Sequence, residues 1–253
     1  MFSANNFKGH SNLRVKIKSA FFCSKNQSTK KTANIINKFK WMLLGVVVSS
    51  VLLWQCAAPS KRITVETYFS PRTPVDLFAE DARPLWTSTA FDYSGAVDIT
   101  DSLVTLNRGG YLTGMTWTGP VPRMNYEINL DTKRLEGLDF FCGLTFPFGD
   151  SHASLIIGGW GGYTTGISSI NGIDASENGT ADAILFEENT WYHIRLRVSP
   201  QHIQAWVDDR KIVDLDTTGK IIGLRGDVDA SIPLSLMTYN TTGAMKNMTL
   251  MRF

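Results

Sequence analysis

No Asp or Glu occurs in the first 62 residues of this 253-residue chain, although 11 Lys or Arg do. Residues 63–253 carry 14 Lys or Arg against 23 Asp or Glu, a net of −9. A basic leader is thus joined to an acidic body, and the overall charge of +2 hides both. The acidic body argues against nucleic acid as a partner, because polyphosphate selects clustered positive charge. Cysteine is scarce: Cys23, Cys56 and Cys142, with only Cys142 in the body. That excludes an intradomain disulfide there, and the absence of CxxC and of any His/Cys cluster excludes a structural zinc site. Cys142 reads as a small buried hydrophobe. Gly and Pro, 21 and 9, are at ordinary usage, which excludes a collagen-like or wholly disordered chain. There is no long i, i+3, i+4, i+7 pattern, and no 20–50-residue repeat that would signal a propeller or solenoid.

A long hydrophobic run is also missing. Trp41–Trp54, WMLLGVVVSSVLLW, is 14 residues without a charge, whereas a bilayer-spanning helix needs about 20. Lys38 and Lys40 precede the run and small residues follow it, the layout of a secretory signal. Leu53-Trp54-Gln55-Cys56 resembles a bacterial lipobox, in which Cys56 is lipidated. Gln55 and Trp54 depart from that pattern, so an uncleaved signal anchor is the rival reading. In either case the Lys/Arg bias puts residues 1–40 on the cytoplasmic side and the body on the other. The expected layout is a basic tail (1–40), a signal or anchor (41–58), a tether with scattered Pro and polar residues (59–84) and a folded domain (85–253).

From about Leu85 the sequence breaks into short alternating runs separated by Gly, Asn and Asp, which predicts an all-β, two-sheet antiparallel sandwich. In 124–130, Met124, Tyr126, Ile128 and Leu130 share one face. In 138–146 the shared set is Leu138, Phe140, Cys142, Leu144 and Phe146. Period two with one apolar face is a half-buried strand. The segment 153–157 is apolar throughout and should lie deep. The end of the chain, 233–239 and 245–253, should pair back into a sheet.

The clearest unit is 191–216. Matching Ile194, Leu196 and Val198 to Val207, Ala205 and Ile203 across a hairpin fixes its register, because a one-residue slip would bury charges. On the other face Arg197 then lies opposite Gln204, Arg195 opposite Trp206, and His193 opposite Asp208. Opposed pairs are close enough to interact, and Arg195 over Trp206 would be worth about 0.5–1 kcal/mol. The pattern Trp191-Tyr192-x-Ile194-x-Leu196-x-Val198, Ile203-x-Ala205-Trp206-Val207-Asp208 and Ile212-Val213, with Lys246-Asn247-Met248-Thr249-Leu250 as final strand, resembles concanavalin A-like jelly rolls. It is most similar to the laminin G-like and 3-keto-disaccharide hydrolase-type domains of exported bacterial proteins. That resemblance covers roughly 85–253 and implies a concave face, often with a carbohydrate site, and sometimes a bound Ca²⁺.

Candidate site residues follow from chemistry. A glycosidase needs two carboxylates about 5–9.5 Å apart, and no Glu-x-Asp-x-x-Glu occurs. Glu127, flanked by Asn125 and Asn129, is the best single carboxylate, against the alternative of a solvated strand face. His193 beside Asp208 has the types of an oriented base, against a plain surface hydrogen bond. Gly158-Gly159-Trp160-Gly161-Gly162 permits close backbone approach and could present Trp160 to a sugar ring, or could simply be a bulged strand end with Trp160 over the core. Asp174, Glu177, Asn178 and Asp182 supply oxygens of the sort Ca²⁺ takes, or form a solvated loop with Asx turns. The leading expectation is a membrane-tethered, extracytoplasmic module that binds a glycan through Trp160, Arg195, Trp206, Asn125 and Asn129. The alternatives are a glycoside hydrolase of the 3-keto-disaccharide type and a protein-binding envelope module.

Overall fold

The computed structural model describes residues 63–253. The expectations for the tail, the signal or anchor, Cys56 and the first residues of the tether lie outside the described residues. The body is two antiparallel sheets. The eight-stranded sheet runs β13 (Arg210–Asp216), β12 (His202–Val207), β11 (Tyr192–Val198), β6 (Tyr126–Gly137), β15 (Thr241–Arg252), β4 (Leu103–Leu106) and β3 (Val97–Thr100), with β1 (Val75–Asp76) beside the end of β15. The seven-stranded sheet runs β10 (Asp182–Ala183), β9 (Thr164–Ser168), β8 (Ser151–Gly159), β7 (Cys142–Phe148), β14 (Ser235–Tyr239), β5 (Leu112–Trp117) and β2 (Trp86–Ser88). This is the all-β sandwich expected from the alternation, in the jelly-roll form that the resemblance implied.

The 191–216 unit folds in the predicted register. Ile194 pairs with Val207, Arg195 with Trp206, Leu196 with Ala205, Arg197 with Gln204 and Val198 with Ile203. The inward set is fully buried, so slipping the register would expose it and bury charge. β6 shows the same logic: Tyr126, Ile128 and Leu130 are fully buried between Glu127, Asn129 and Asp131. The last strand, β15, lies in the middle of its sheet between β6 and β4. The core between the sheets joins Ile128, Leu130, Leu196 and Leu250 of one sheet to Trp117, Leu144, Phe146 and Leu155 of the other. Burying each such side chain contributes about 1.5–3 kcal/mol.

Two expectations need correction. Residues 63–84 are not a tether where they are described. A short helix α1 (Val65–Tyr68) is closed by a capping box between Thr64 and Thr67. Phe69, Leu77 and Phe78 then insert into the core. Trp86 Nε1 donates to the Leu77 carbonyl at 2.7 Å, and the Trp86 and Trp117 rings meet edge to face at 5.3 Å. Proline and polar content concealed three anchoring side chains. The second correction is the phase of 138–146. The strand begins only at Cys142, and the alternation breaks before it. Leu138 is 76 % exposed, Phe141 enters the core, and Phe140 turns to the outer side of the seven-stranded sheet.

Candidate functional site

The two sheets differ in what covers their outer faces. On the eight-stranded sheet the outer face is solvated and charged. On the seven-stranded sheet all six residues of β5 and all five of β9 are buried, so both faces are covered. The outer residues there are small or polar: Gly114 and Thr116 on β5, Gly143 and Thr145 on β7, Ser154 on β8, Gly166 and Ser168 on β9, Ser235 on β14. Their hydroxyls satisfy one another, as the Thr145 hydroxyl does with Ser154 (3.0 Å) and Ser231 (2.7 Å). On the same outer face Leu112, Ile156 and Met237 form a second apolar cluster with Val228, against which Phe140, Trp160 and Tyr239 pack.

These residues line a cavity of about 330 Å³ on the outer face of the sheet. Its aromatic lining is Phe140, Trp160 and Tyr239, and its charged lining is Asp139, Arg225 and Asp227. That volume is at the lower end of the roughly 300–1,000 Å³ of small-molecule sites, and apolar walls with a few placed polar groups are their usual make-up. Asp139 Oδ1 accepts from the Phe140 backbone N–H at 2.8 Å, and its Oδ2 from Gly161 N–H at 3.4 Å. Arg225 donates through Nη1 to Asp174 at 2.7 Å and forks onto Asp227 through Nε and Nη2, both at 3.2 Å. Burial acts to lower the Arg225 pKa, but Asp227 and Asp174 outweigh it and hold the guanidinium above its ordinary value. Ser168 Oγ donates to the other oxygen of Asp174 at 3.1 Å, so Asp174 stands just behind the cavity wall.

Trp160 is in place because its loop is built from residues that can turn the wrong way. Trp160 itself has φ +47°, between Gly158 (+72°), Gly161 (+89°) and Gly162 (+99°). A Cβ on Gly158 would lie 2.8 Å from Arg134 Nη2, and one on Gly162 3.0 Å from the Leu138 carbonyl. The bulged strand end expected for this motif is present. It is a strand end with a bulge after Ile156, and it presents a partly exposed Trp160 to the cavity.

The other candidate residues lie elsewhere. Arg195, Trp206, Glu127, Asn129 and His193 stand on the outer face of the eight-stranded sheet, opposite to the cavity. The Arg195 guanidinium sits 3.9 Å from the Trp206 ring centroid, as the register implied, and Lys211 approaches the same ring at 5.6 Å. Both cations thus stand against this ring, on the sheet that does not carry the cavity. Glu127 is held by Arg197 Nη1 at 3.6 Å and by Asn129 Nδ2 at 3.3 Å. Asn125 precedes the strand at φ +55° and accepts from Phe253 N–H through its carbonyl. His193 lies opposite Asp208 as the register implied, and Asp208 N–H donates to the His193 carbonyl at 2.7 Å, but the imidazole does not pair with that carboxylate. Asp208 Oδ1 accepts from the His193 backbone N–H at 2.8 Å, while His193 Nδ1 meets Asp131 Oδ1 at 2.8 Å.

The calcium loop is also dispersed. Asp174 goes to Arg225, and Asp182 takes Arg210 Nη2 at 2.7 and 2.9 Å. Asn178 Nδ2 donates to the Ile167 and Ile173 carbonyls, and Glu177 is exposed. Among the described residues no group of three His, Cys, Asp or Glu is arranged to hold a metal ion. Sequence reasoning missed Asp139, Phe140, Arg225, Asp227, Met237 and Tyr239. They come from separate loops and strands with no local motif, and only the sheet order brings them together.

Comparison with known proteins matches residues 111–251 to the family model described as 3-keto-alpha-glucoside-1,2-lyase-like domain. Curated proteins give no match. Among solved structures, the carbohydrate binding module CBM66 from Bacillus subtilis is similar at 14 % identity, covering 66 % of this chain and 95 % of its own, with TM-score 0.44. The exoplasmic/lumenal domain of VIP36 is similar at 11 % identity, 70 % and 88 % coverage, and TM-score 0.46. The Crh5 transglycosylase stands at 12 % identity, 69 % and 83 % coverage, and TM-score 0.45. The family match spans more than half of the chain and contains every residue lining the cavity, from Leu112 to Tyr239. The chain belongs to the 3-keto-alpha-glucoside-1,2-lyase-like domain family.

Proposed function

We propose that the domain recognises a glycoside in the cavity on the outer face of its seven-stranded sheet, and that it does so as an exported module held at the membrane by its N-terminal segment. The observation that carries the first part is the cavity's lining: three aromatic side chains facing Asp139, Arg225 and Asp227. A sugar ring presents an apolar face of C–H groups and a rim of hydroxyls. Trp160, Phe140 and Tyr239 suit the face, and the charged groups suit the rim, since hydrogen bonds to ionised partners are the stronger ones. The layout 1–40, 41–58 and 59–62 supports the second part through its one-signed charge and its apolar run. Lipidation at Cys56 belongs to the same proposal. Family membership makes an α-glucoside, with its 3-hydroxyl oxidised to a ketone, the ligand to test first.

Binding is the leading reading because two of the three charged groups in the cavity are already engaged. Arg225 and Asp227 neutralise each other, and the cavity lining holds no His. The test is calorimetric titration of the full-length protein with methyl α-glucoside and its 3-keto form. Trp160→Ala should abolish the heat of binding and Trp206→Ala should leave it unchanged. Equal loss in both variants, or loss only in Trp206→Ala, would contradict the placement.

A second reading, elimination, is favoured by the family and by one geometric fact. Asp139 is the cavity carboxylate that makes no ion pair among the described residues. A ketone at C3 acidifies the C2–H bond. A carboxylate can take that proton, the C–H electrons form the C1–C2 double bond, and the C1–O bond breaks to release the aglycone, which gains a proton. With p-nitrophenyl 3-keto-α-glucoside this reading requires p-nitrophenol release that Asp139→Asn abolishes. Absence of release from the wild-type protein would leave binding alone.

A further inference from the structure

The charges around the cavity do not balance. Arg225 is spent: its Nη1 serves Asp174 at 2.7 Å, and its Nε and Nη2 both serve Asp227 at 3.2 Å. Asp139 is not spent. Its Oδ1 accepts from Phe140 N–H at 2.8 Å and its Oδ2 from Gly161 N–H at 3.4 Å. No cation pairs with it among the described residues. A carboxylate has about four lone-pair sites, so half of its accepting capacity is left over. Arg134 also acts on Asp139, but it acts more strongly on Glu188 and spends its Nη2 on backbone carbonyls. Two guanidinium groups thus face four carboxylates, those of Asp139, Asp174, Asp227 and Glu188.

The unspent carboxylate lies among aromatic rings. Its two N–H partners belong to the segments that carry Phe140 and Trp160. Tyr239 stacks on Phe140, with centroids 5.9 Å apart and planes 30° apart, and its N–H donates to the Phe140 carbonyl at 3.1 Å. All three rings line the cavity together with Asp139. The face of an aromatic ring attracts a cation, Trp most strongly, and rings gathered around an ammonium are a recurrent way to recognise one. An ammonium also brings charge to the carboxylate, which a neutral hydroxyl does not. The net of −9 over residues 63–253 draws a cation inward from a distance. We infer that the cavity prefers a glycoside carrying a protonated amine, with the ammonium between Asp139 and the Trp160 and Phe140 rings. The ligand class is then an amino-sugar glycoside. This inference deepens the carbohydrate reading of the cavity and rests on it.

The test is calorimetric titration of the full-length protein at low salt and about pH 6, where such an amine is protonated. The probes are methyl α-glucoside and its 2-amino, 3-amino and 6-amino deoxy derivatives. At least one amine should bind about tenfold more tightly than methyl α-glucoside, and N-acetylation of that probe should remove the gain. Asp139→Asn should bring the ratio of the two affinities close to one. Asp214→Asn, which removes a carboxylate from the other sheet, should keep the ratio. Parity of all three amines with methyl α-glucoside, or a tenfold ratio that survives in Asp139→Asn, would overturn the preference for a cation and leave the carbohydrate reading intact. Binding of no probe by the wild-type protein would overturn both.

Discussion

The Arg134 guanidinium donates through Nη2 to the Gly162 carbonyl at 2.8 Å, and thereby fixes the turn that carries Trp160. The same nitrogen reaches the carbonyls of Gly158 and Asp139, both at 3.4 Å, and the guanidinium lies 5.0 Å from the Phe141 ring centroid. Arg134 is only 5 % exposed. Burial draws its pKa below the ordinary value, against the opposing effect of Glu188 and Asp139. One buried cation thus ties together the two loops that bear Asp139 and Trp160.

Replacing that cation should loosen both loops. Arg134→Met keeps the apolar stem but leaves buried carbonyls without a donor. Hydrogen bonds to charged groups are worth about 1.5–3 kcal/mol, so stability should fall by about that much in urea unfolding. Saccharide binding should fall with it, because Trp160 loses its support. An unchanged urea midpoint together with unchanged binding would contradict the role assigned to Arg134.

Gly143 tests the cavity floor. A Cβ there would meet Met237 Cγ at 2.8 Å and Phe140 Cε2 at 3.0 Å, both from cavity-lining side chains. Met237 is flexible and can give way, so Gly143→Ala should cost about 1–3 kcal/mol, as overpacking does. The displaced side chains should narrow the cavity and lower saccharide affinity by more than the stability change accounts for. Full affinity in a folded Gly143→Ala protein would show that the ligand does not rest on this floor.

The outer face of the eight-stranded sheet should behave as structure alone. Arg195→Met removes the guanidinium 3.9 Å from the Trp206 ring centroid. A half-exposed contact of this kind contributes about 0.5–1 kcal/mol, which a chemical unfolding curve resolves. Saccharide binding should be untouched. A binding defect in Arg195→Met would return the site to the face first suggested by the sequence.

Stability should fall at both ends of the pH range. His152 Nε2 is buried without a hydrogen-bond partner. Burial, with Arg123 nearby, holds its pKa below the ordinary 6.5. Its contribution is therefore present above about pH 6.5 and lost as pH falls, because the unfolded state takes up the proton more readily. His152→Gln should flatten that acid limb. At the other end, burial pushes the Cys142 thiol up to about 12. Stability should decline above the ordinary thiol range of about 8.5, because there the unfolded state loses the proton that the folded state keeps. In a Cys23→Ser, Cys56→Ser background, a thiol reagent at pH 8 should find Cys142 only after unfolding. Rapid reaction in the folded state would contradict its burial.

The fold was legible where one face of a strand meets water. The β11–β12 register could be read residue by residue because charged and apolar side chains alternate strictly from Tyr192 to Val198, Ile203, Ala205 and Val207 repeat the inward phase, and Pro200 marks the loop. The site was not legible, for the opposite reason. β5, β7, β8 and β9 are covered on both sides, so Gly143, Thr145, Ser154 and Gly166 carry no alternation that separates cavity from core. Asp139, Trp160, Arg225 and Tyr239 follow one another in the chain at steps of 21, 65 and 14 residues, and only sheet order unites them. Trp160 was found because glycines flanking a tryptophan are unusual in themselves. Trp206 was equally conspicuous but stands on the other sheet, under Arg195 as the hairpin register implied.

The most direct measurement is hydrogen–deuterium exchange of the full-length protein with and without saturating methyl 3-keto-α-glucoside. The account predicts new protection in the loops around the cavity, 138–141, 159–163 and 225–231, and none in 193–207. Protection confined to 193–207, or no ligand-dependent protection in the three cavity loops, would contradict a saccharide site on the seven-stranded sheet.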